Sequence, residues 1–199
     1  MTAAACGYLN RQYRAVLLRC ARANATGLVL LCGLPPAMAQ VLGIVPDGRT
    51  ATQVQASGNL ATVQTGTVRG QNAFNSFSRF DVASGEQVNL LLPTGTSKLI
   101  NLVGGPRSQI DGWVNAYRDG RIGGDVYFFN SNGIVVGAGG VLNAGSLTLA
   151  APSAGFLGQL MDPLGNIGDA ATSLATSGGY PLSASGLVRV DGRLNAADA

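Results

Sequence analysis

Apolar positions along this chain fall in short runs broken at close intervals by Gly, Asn and Asp. The pattern is densest in Val126-Tyr-Phe-Phe-Asn-Ser-Asn-Gly-Ile-Val-Val-Gly-Ala-Gly-Gly-Val-Leu-Asn-Ala-Gly-Ser-Leu-Thr-Leu149. A helix is disfavoured there, because Gly133, Gly137, Gly139, Gly140 and Gly145 would each cost about 1 kcal/mol relative to Ala. An antiparallel meander lacks its usual two-residue hairpin spacing, apart from Asn132-Gly133. Short strands, tight polar corners and a thin apolar interior predict an all-β coiled ribbon, the parallel β-helix.

Upstream of it, Ala51–Ala56 and Leu60–Val68 alternate Thr or Gln with apolar residues, the period-two pattern of half-exposed strands. Asp47-Gly48 and Ser57-Gly58-Asn59 supply the turns around them. In Asn72–Val82 the phenylalanines Phe74, Phe77 and Phe80 stand three apart, and the flanking Gly70 and Gly85 favour a bend followed by a strand over a helix. Val88–Leu92 and Lys98–Val103 read as further strands, each closed by Pro or Gly. Ile110-Asp-Gly-Trp-Val-Asn-Ala116 and Val190-Asp-Gly-Arg-Leu-Asn-Ala196 share one pattern, and Leu142–Thr148 resembles both, as stacked repeats would. Residues 152–186 interrupt it. Phe156, Leu157, Leu160 and Met161 fit a short amphipathic helix ended by Pro163, followed by a Gly/Ser/Ala-rich loop to Ser185.

The first 39 residues follow different rules. Arg11, Arg14, Arg19 and Arg22 precede the apolar run Leu28–Leu34, then Pro35, Pro36 and Ala37-Met38-Ala39. That order is a basic region, a hydrophobic region too short to span a bilayer, and a small-residue cleavage site. Residues 1–39 are therefore expected to be an extended signal peptide, cut between Ala39 and Gln40 by signal peptidase after passage through the Sec machinery. Residues 40–199 are expected to form one domain with an insertion at about 152–186, truncated at its C-terminus.

Charge and cysteine content change meaning once that segment is set apart. Four of the 13 basic residues and none of the 10 acidic ones precede Gln40, which leaves nine against ten and a net charge of −1. The basic pI of the whole chain is thus no argument for nucleic-acid binding. Cys6, Cys20 and Cys32 all lie before Gln40. An exported domain without cysteine fits a chain that must thread a second pore unfolded, since a disulfide would trap it.

With the signal in place, the residues resemble the N-terminal secretion domain of filamentous haemagglutinin-like exoproteins of the two-partner secretion pathway. The resemblance rests on an ordered set: Ile44-Val-Pro-Asp-Gly-Arg-Thr50, the aromatic box Asn72-x-Phe74-x-x-Phe77-x-x-Phe80-x-Val82, and Phe129-Asn-Ser-Asn-Gly-Ile-Val-Val-Gly137. Ser131 stands where the family usually has Pro, and Asn75 where many members have His. The resemblance implies a right-handed parallel β-helix with N-terminal capping strands. It implies secretion or surface display through the periplasm of a Gram-negative bacterium, with an outer-membrane β-barrel transporter as partner. Asn72, Phe74, Phe77, Phe80, Asn130, Asn132 and Gly133 are the candidate residues for transporter recognition or folding nucleation. Turn formation by Asn130, Asn132 and Gly133, and packing by the phenylalanines, account for the same residues structurally.

An enzyme is the other class to weigh, because polysaccharide lyases also use β-helices. Such enzymes need clustered carboxylates and a basic residue, and Arg118-Asp-Gly-Arg-Ile-Gly-Gly-Asp125 is the densest candidate. Asp-Gly-Arg recurs at Asp47–Arg49 and Asp191–Arg193, which favours a recurring turn. With no His, no Cys after Cys32 and Glu86 as the lone Glu, the expectation is no catalytic residue, no metal and no cofactor. A third class is an adhesin module that meets host or bacterial surface receptors through its own face, although Trp113 alone marks no site.

Overall fold

The computed structural model describes residues 43–196. The signal-peptide assignment, with Ala37, Ala39 and Gln40, lies outside the described residues.

The N-terminal strands form a set of antiparallel pairs. Strand β1 (Ile44–Pro46) runs against β5 (Asn72–Phe80), β2 (Thr52–Ser57) forms a hairpin with β3 (Leu60–Thr65), and β4 (Val68–Arg69) turns back on β5. Gly58 at φ +58° and Gly70 at φ +57° make the turns that these reversals need. From β5 onward the strands pair in parallel, apart from one short hairpin, β9 (Trp113–Arg118) with β10 (Arg121–Ile122), and isolated antiparallel bridges in the insertion, Pro152 with Leu182 and Met161 with Ile167.

The parallel strands form three ladders. One joins β5, β7 (Lys98–Val103), β11 (Asp125–Asn130) and β14 (Ser146–Ala150). A second joins β3, β6 (Gln87–Leu91), β9, β13 (Val141–Ala144) and β16 (Arg193–Ala196). The third joins β8 (Ser108–Ile110), β12 (Gly133–Val136) and β15 (Leu187–Val190). The chain visits the ladders in the same order each time: β7, β8, β9, then β11, β12, β13, then β14, β15, β16. The sequence repeat marks equivalent places on these circuits, since Ile110, Val136 and Val190 are in register, as are Asn115, Asn143 and Asn195.

Alternation along each strand divides the side chains into two sets. The inward set includes Ala73, Phe77, Leu99, Val103, Val88, Val114, Leu142, Ile110 and Ile134, all packed in one buried cluster. Each contributes roughly 1.5–3 kcal/mol on burial if large and apolar. The outward set of β5, β7 and β11 is buried as well: Phe74, Ile100, Leu102, Tyr127 and Phe129 form a second cluster. Burial on both faces explains why Lys98-Leu-Ile-Asn-Leu-Val103 reads as a near-continuous apolar run.

The cover over that second face is the insertion. It holds two helices, α1 (Ala154–Leu160) and α2 (Asp169–Ser177). The Ser153 hydroxyl caps α1 by accepting from the Phe156 amide. Phe156, Leu160, Met161, Ala171 and Ala175 face the strands. The expected single helix followed by a loop is thus corrected: α2 is present, and Gly178 in the left-handed conformation ends it. Its buried side chains are Ala171, Thr172 and Ala175, too small to print an apolar stripe on the sequence.

Two asparagine ladders run along the stack. Inside, the Asn75 side chain donates to Asn101 Oδ1 at 3.0 Å, Asn101 donates to the Tyr127 carbonyl at 3.2 Å, and the Thr52 hydroxyl donates to Asn75 Oδ1 at 2.9 Å. Outside the second ladder, Asn195 donates to Asn143 at 2.7 Å, Asn143 to Asn115 at 2.6 Å and Asn115 to Asn89 at 3.3 Å. Such in-register amides bond strand to strand wherever parallel pairing brings identical residues together.

Candidate functional site

Three separate parts of the sequence meet around the corner between β11 and β12. Asn130 ends β11 facing inward and is fully buried. Its amide nitrogen donates to the Pro106 carbonyl at 2.8 Å and to the Ser108 hydroxyl at 3.1 Å. Its carbonyl oxygen accepts the Asn132 amide at 2.9 Å, an Asx-turn that bends the chain by itself. The Asn132 side chain donates to the Gly105 carbonyl at 2.8 Å, and the Arg107 guanidinium donates to the Asn132 carbonyl at 3.3 Å. Gly133 takes φ +102°, and a Cβ there would lie 2.4 Å from the Leu187 carbonyl oxygen. The corner therefore grips the one before it through Asn130 and Asn132 and admits the one after it through Gly133. It is a corner, not a hairpin, because β11 and β12 do not pair with each other.

The aromatic box does not act as one surface. Asn72 opens β5, is half-buried and reaches the Arg69 carbonyl at 3.4 Å. Phe74 points outward and is covered by the insertion. Phe77 and Phe80 point inward, with ring centroids 5.1 Å apart, and Phe80 meets Phe128 edge-on at 5.0 Å. The expected bend before the strand is corrected: residues 72–80 are one strand. A register shift against Val45 and Pro46 leaves Ser78 and Arg79 both exposed, so that two phenylalanines three apart share the inward face.

The Asp47-Gly48-Arg49 loop joins the two. The Ser76 hydroxyl, within the aromatic box, donates to Asp47 Oδ2 at 2.6 Å, and the Arg49 Nε donates to the same oxygen at 2.8 Å. The Arg49 backbone amide reaches Asp47 Oδ1 at 3.0 Å. Burial alone opposes ionisation of Asp47, but the hydrogen bonds from Ser76 and Arg49, with the Arg49 charge, outweigh it and hold the carboxyl below its ordinary value. The Arg49 guanidinium then donates to the Met161 carbonyl at 3.3 Å, at the end of α1. A cleft of about 220 Å³ lies here, bounded by Arg49, Val103, Ser131, Leu157 and Met161.

Sequence reading missed Ser76, Arg49 and Asn101. The last had a visible signal, because Asn75 and Asn101, like Asn89 and Asn115, stand one circuit apart at a separation of 26 residues. The Ser76–Asp47 and Arg49–Met161 contacts had none, since they join residues 29 and 112 apart, whereas the Arg49–Asp47 pair is local.

The residues of the enzyme candidate come together, since Arg118, Asp119, Arg121 and Asp125 line one cleft of about 400 Å³. Asp119 at φ +52° and Gly120 at φ +79° form the β9–β10 turn, which places Arg118 opposite Arg121. Asp125 accepts the Ser146 hydroxyl at 2.8 Å and lies 3.8 Å from the Lys98 ammonium. The three Asp-Gly-Arg triplets are not one recurring turn. Gly48 and Gly120 are there for positive φ, whereas a Cβ at Gly192 would meet the Gly140 carbonyl at 2.3 Å. Among the described residues no group of three or more His, Cys, Asp or Glu side chains is arranged to hold a metal.

Comparison with known proteins adds the following. The family model of the TPS secretion domain matches residues 42–180. No curated protein matches the chain. Among solved structures it is similar to the HMW1 secretion domain from Haemophilus influenzae, with 16% identity and a TM-score of 0.51. That match covers 73% of this chain and 34% of the other, so this chain spans about a third of its length. At such identity the likeness is one of fold.

Proposed function

This chain belongs to the family of TPS secretion domains, and we propose that it is both the secretion signal and the folding nucleus of an exported adhesin- or haemagglutinin-like protein. The observation that carries the proposal is the Asn130–Gly133 corner, whose polar groups are spent on the neighbouring corners. We infer further that the three parallel ladders wind as a right-handed parallel β-helix, with β1 to β4 as its N-terminal cap. Support comes from the constant order in which the chain visits them and from the strong right-handed preference of parallel crossovers.

In this reading the segment before Gln40 passes the chain to the Sec machinery and is removed by signal peptidase. In the periplasm an outer-membrane transporter of the two-partner pathway recognises the unfolded or partly folded chain. Strand addition is the physical mode that suits it, with backbone hydrogen bonds giving affinity and alternate side chains giving specificity. Among the described residues β2 pairs with β3 alone, and its other edge suits such an addition. Outside the cell, each circuit that closes buries a few more inward side chains, and that gain biases movement outward.

Substituting Asn130 and Asn132 together by Ala tests how the corner serves export. Secretion into the medium and refolding of the purified chain are measured side by side. Loss of both fits nucleation. Loss of secretion with unchanged refolding assigns the corner to transporter contact instead, and full retention of both removes it from the account.

A further inference from the structure

A second surface lies on the outward face of the second ladder, away from the strands that the insertion covers. On β2, β3, β6 and β9 the inward positions are Val54, Val63, Leu90 and Ala116 and their alternates. The residues between them therefore face outward. Gln53, Gln64, Leu91 and Tyr117 are cross-strand partners in one row, and Gln64 donates to Gln53 Oε1 at 3.1 Å. Along this row runs a groove made of two clefts, of about 480 Å³ and about 470 Å³, which share Leu91, Leu92 and Thr94. The Pro93-Thr94 loop walls it on one side. Asn89 and Tyr117 line the second cleft, and Asp119 stands at its far rim.

The chemistry of the groove selects its ligand. Gln53 and Gln64 offer both donors and acceptors, Asn89 offers its amide donors because its oxygen already accepts from Gln87 and Asn115, and Thr94 adds a hydroxyl. Tyr117 presents an apolar ring with a polar end, and Leu91 an apolar floor. No Lys or Arg lines either cleft, and Asp119 is paired with Arg118 at 3.9 Å, so the groove has no positive field to hold nucleic acid or an acidic polysaccharide. Within the row β3, β6 and β9 are paired on both sides and offer a peptide strand no open backbone, and the unpaired edge of β2 lies only at the row's end. Sugar hydroxyls suit paired amides, and the apolar face of a pyranose ring suits tyrosine. Adjacent strands are spaced by roughly 5 Å, so the row from β2 to β9 spans about 15 Å. That spacing is close to the advance of one ring in an extended β-linked glycan. We propose that this groove binds an extended, uncharged β-linked oligosaccharide laid across the strands.

The test is calorimetric titration of the refolded chain with cellohexaose and chitohexaose. Maltohexaose serves as a coiled α-linked comparison and a heparin hexasaccharide as a polyanion. The expected result is saturable binding of at least one β-linked hexaose in the millimolar range or tighter, with maltohexaose and heparin weaker by about tenfold or more. Tyr117→Ala and Gln64→Ala each weaken that binding by about tenfold, while thermal unfolding stays at the wild-type midpoint because both side chains face outward. The proposal is overturned by absence of binding of both β-linked hexaoses, by tighter binding of heparin, or by wild-type affinity in Tyr117→Ala. Capture by a transporter's periplasmic domains that Tyr117→Ala abolishes, with no glycan bound, assigns the groove to a protein partner and also overturns it.

Discussion

At the scale of single residues, the corner and the N-terminal loop are where stability and export meet. Asn130 is fully buried and makes three hydrogen bonds, so Asn130→Ala strands the Asn132 amide and leaves the Ser108 hydroxyl one bond short. The expected loss is about 2–4 kcal/mol, read as a lower urea midpoint. Asp47 gives a pH signature. Its carboxyl is held below its ordinary value in the folded chain, so the stability it contributes is complete above the unfolded value, about pH 4, and is lost as pH falls through the folded value. The stability difference between wild type and Asp47→Asn should therefore shrink as pH is lowered from about 6 to about 3, and a difference constant over that range would contradict the assignment. Asn130, Asn132 and Gly133 were legible in the sequence because turn chemistry is local. Ser76 was not, nor was the reach of Arg49 to Met161, because nothing near them in the chain announces partners 29 and 112 residues away.

At the scale of elements, the strands were readable from period and punctuation, while the insertion and the aromatic box were readable only in part. The four apolar residues at 156–161 marked α1. Helix α2, built on Ala171, Thr172 and Ala175, left no comparable stripe. The box Phe74, Phe77 and Phe80 looked like one unit, but strand alternation sends Phe74 to the outer core and Phe77 to the inner one, and a register shift at the end of β5 keeps Phe80 with Phe77. That division makes a prediction for the insertion. Phe156 is buried beside Tyr180, with ring centroids 5.7 Å apart, and lies over the outward face that includes Phe74. Phe156→Ala should cost about 3–5 kcal/mol of the insertion's docking. Hydrogen exchange should then quicken at the backbone amides of α1 and α2, while β5, β7 and β11 keep their protection, since the cluster they face inward is untouched. Equal loss of protection throughout would show that the two cores unfold together.

At the scale of the molecule, the order of the ladders explains why the sequence repeat is irregular. Asn75 and Asn101 are 26 residues apart, and so are Asn89 and Asn115, but Asn143 and Asn195 are 52 apart because the insertion lies between them. The repeat is a property of the stack, and the loops that interrupt it leave the register intact. Family membership and the all-β fold were legible from the ordered motifs, because each is a corner or strand that stacking requires. The outward groove was not, because it is assembled from single residues on β2, β3, β6 and β9. The proposed function has this chain carry a signal read by an outer-membrane partner. Its most direct test is to express the 199-residue chain with an epitope tag in a Gram-negative host, with and without a two-partner-secretion transporter from the source genome. The account predicts tagged chain in the medium only when the transporter is present, and periplasmic retention without it. Retention in the periplasm with a functional transporter, or equal release without one, would contradict it.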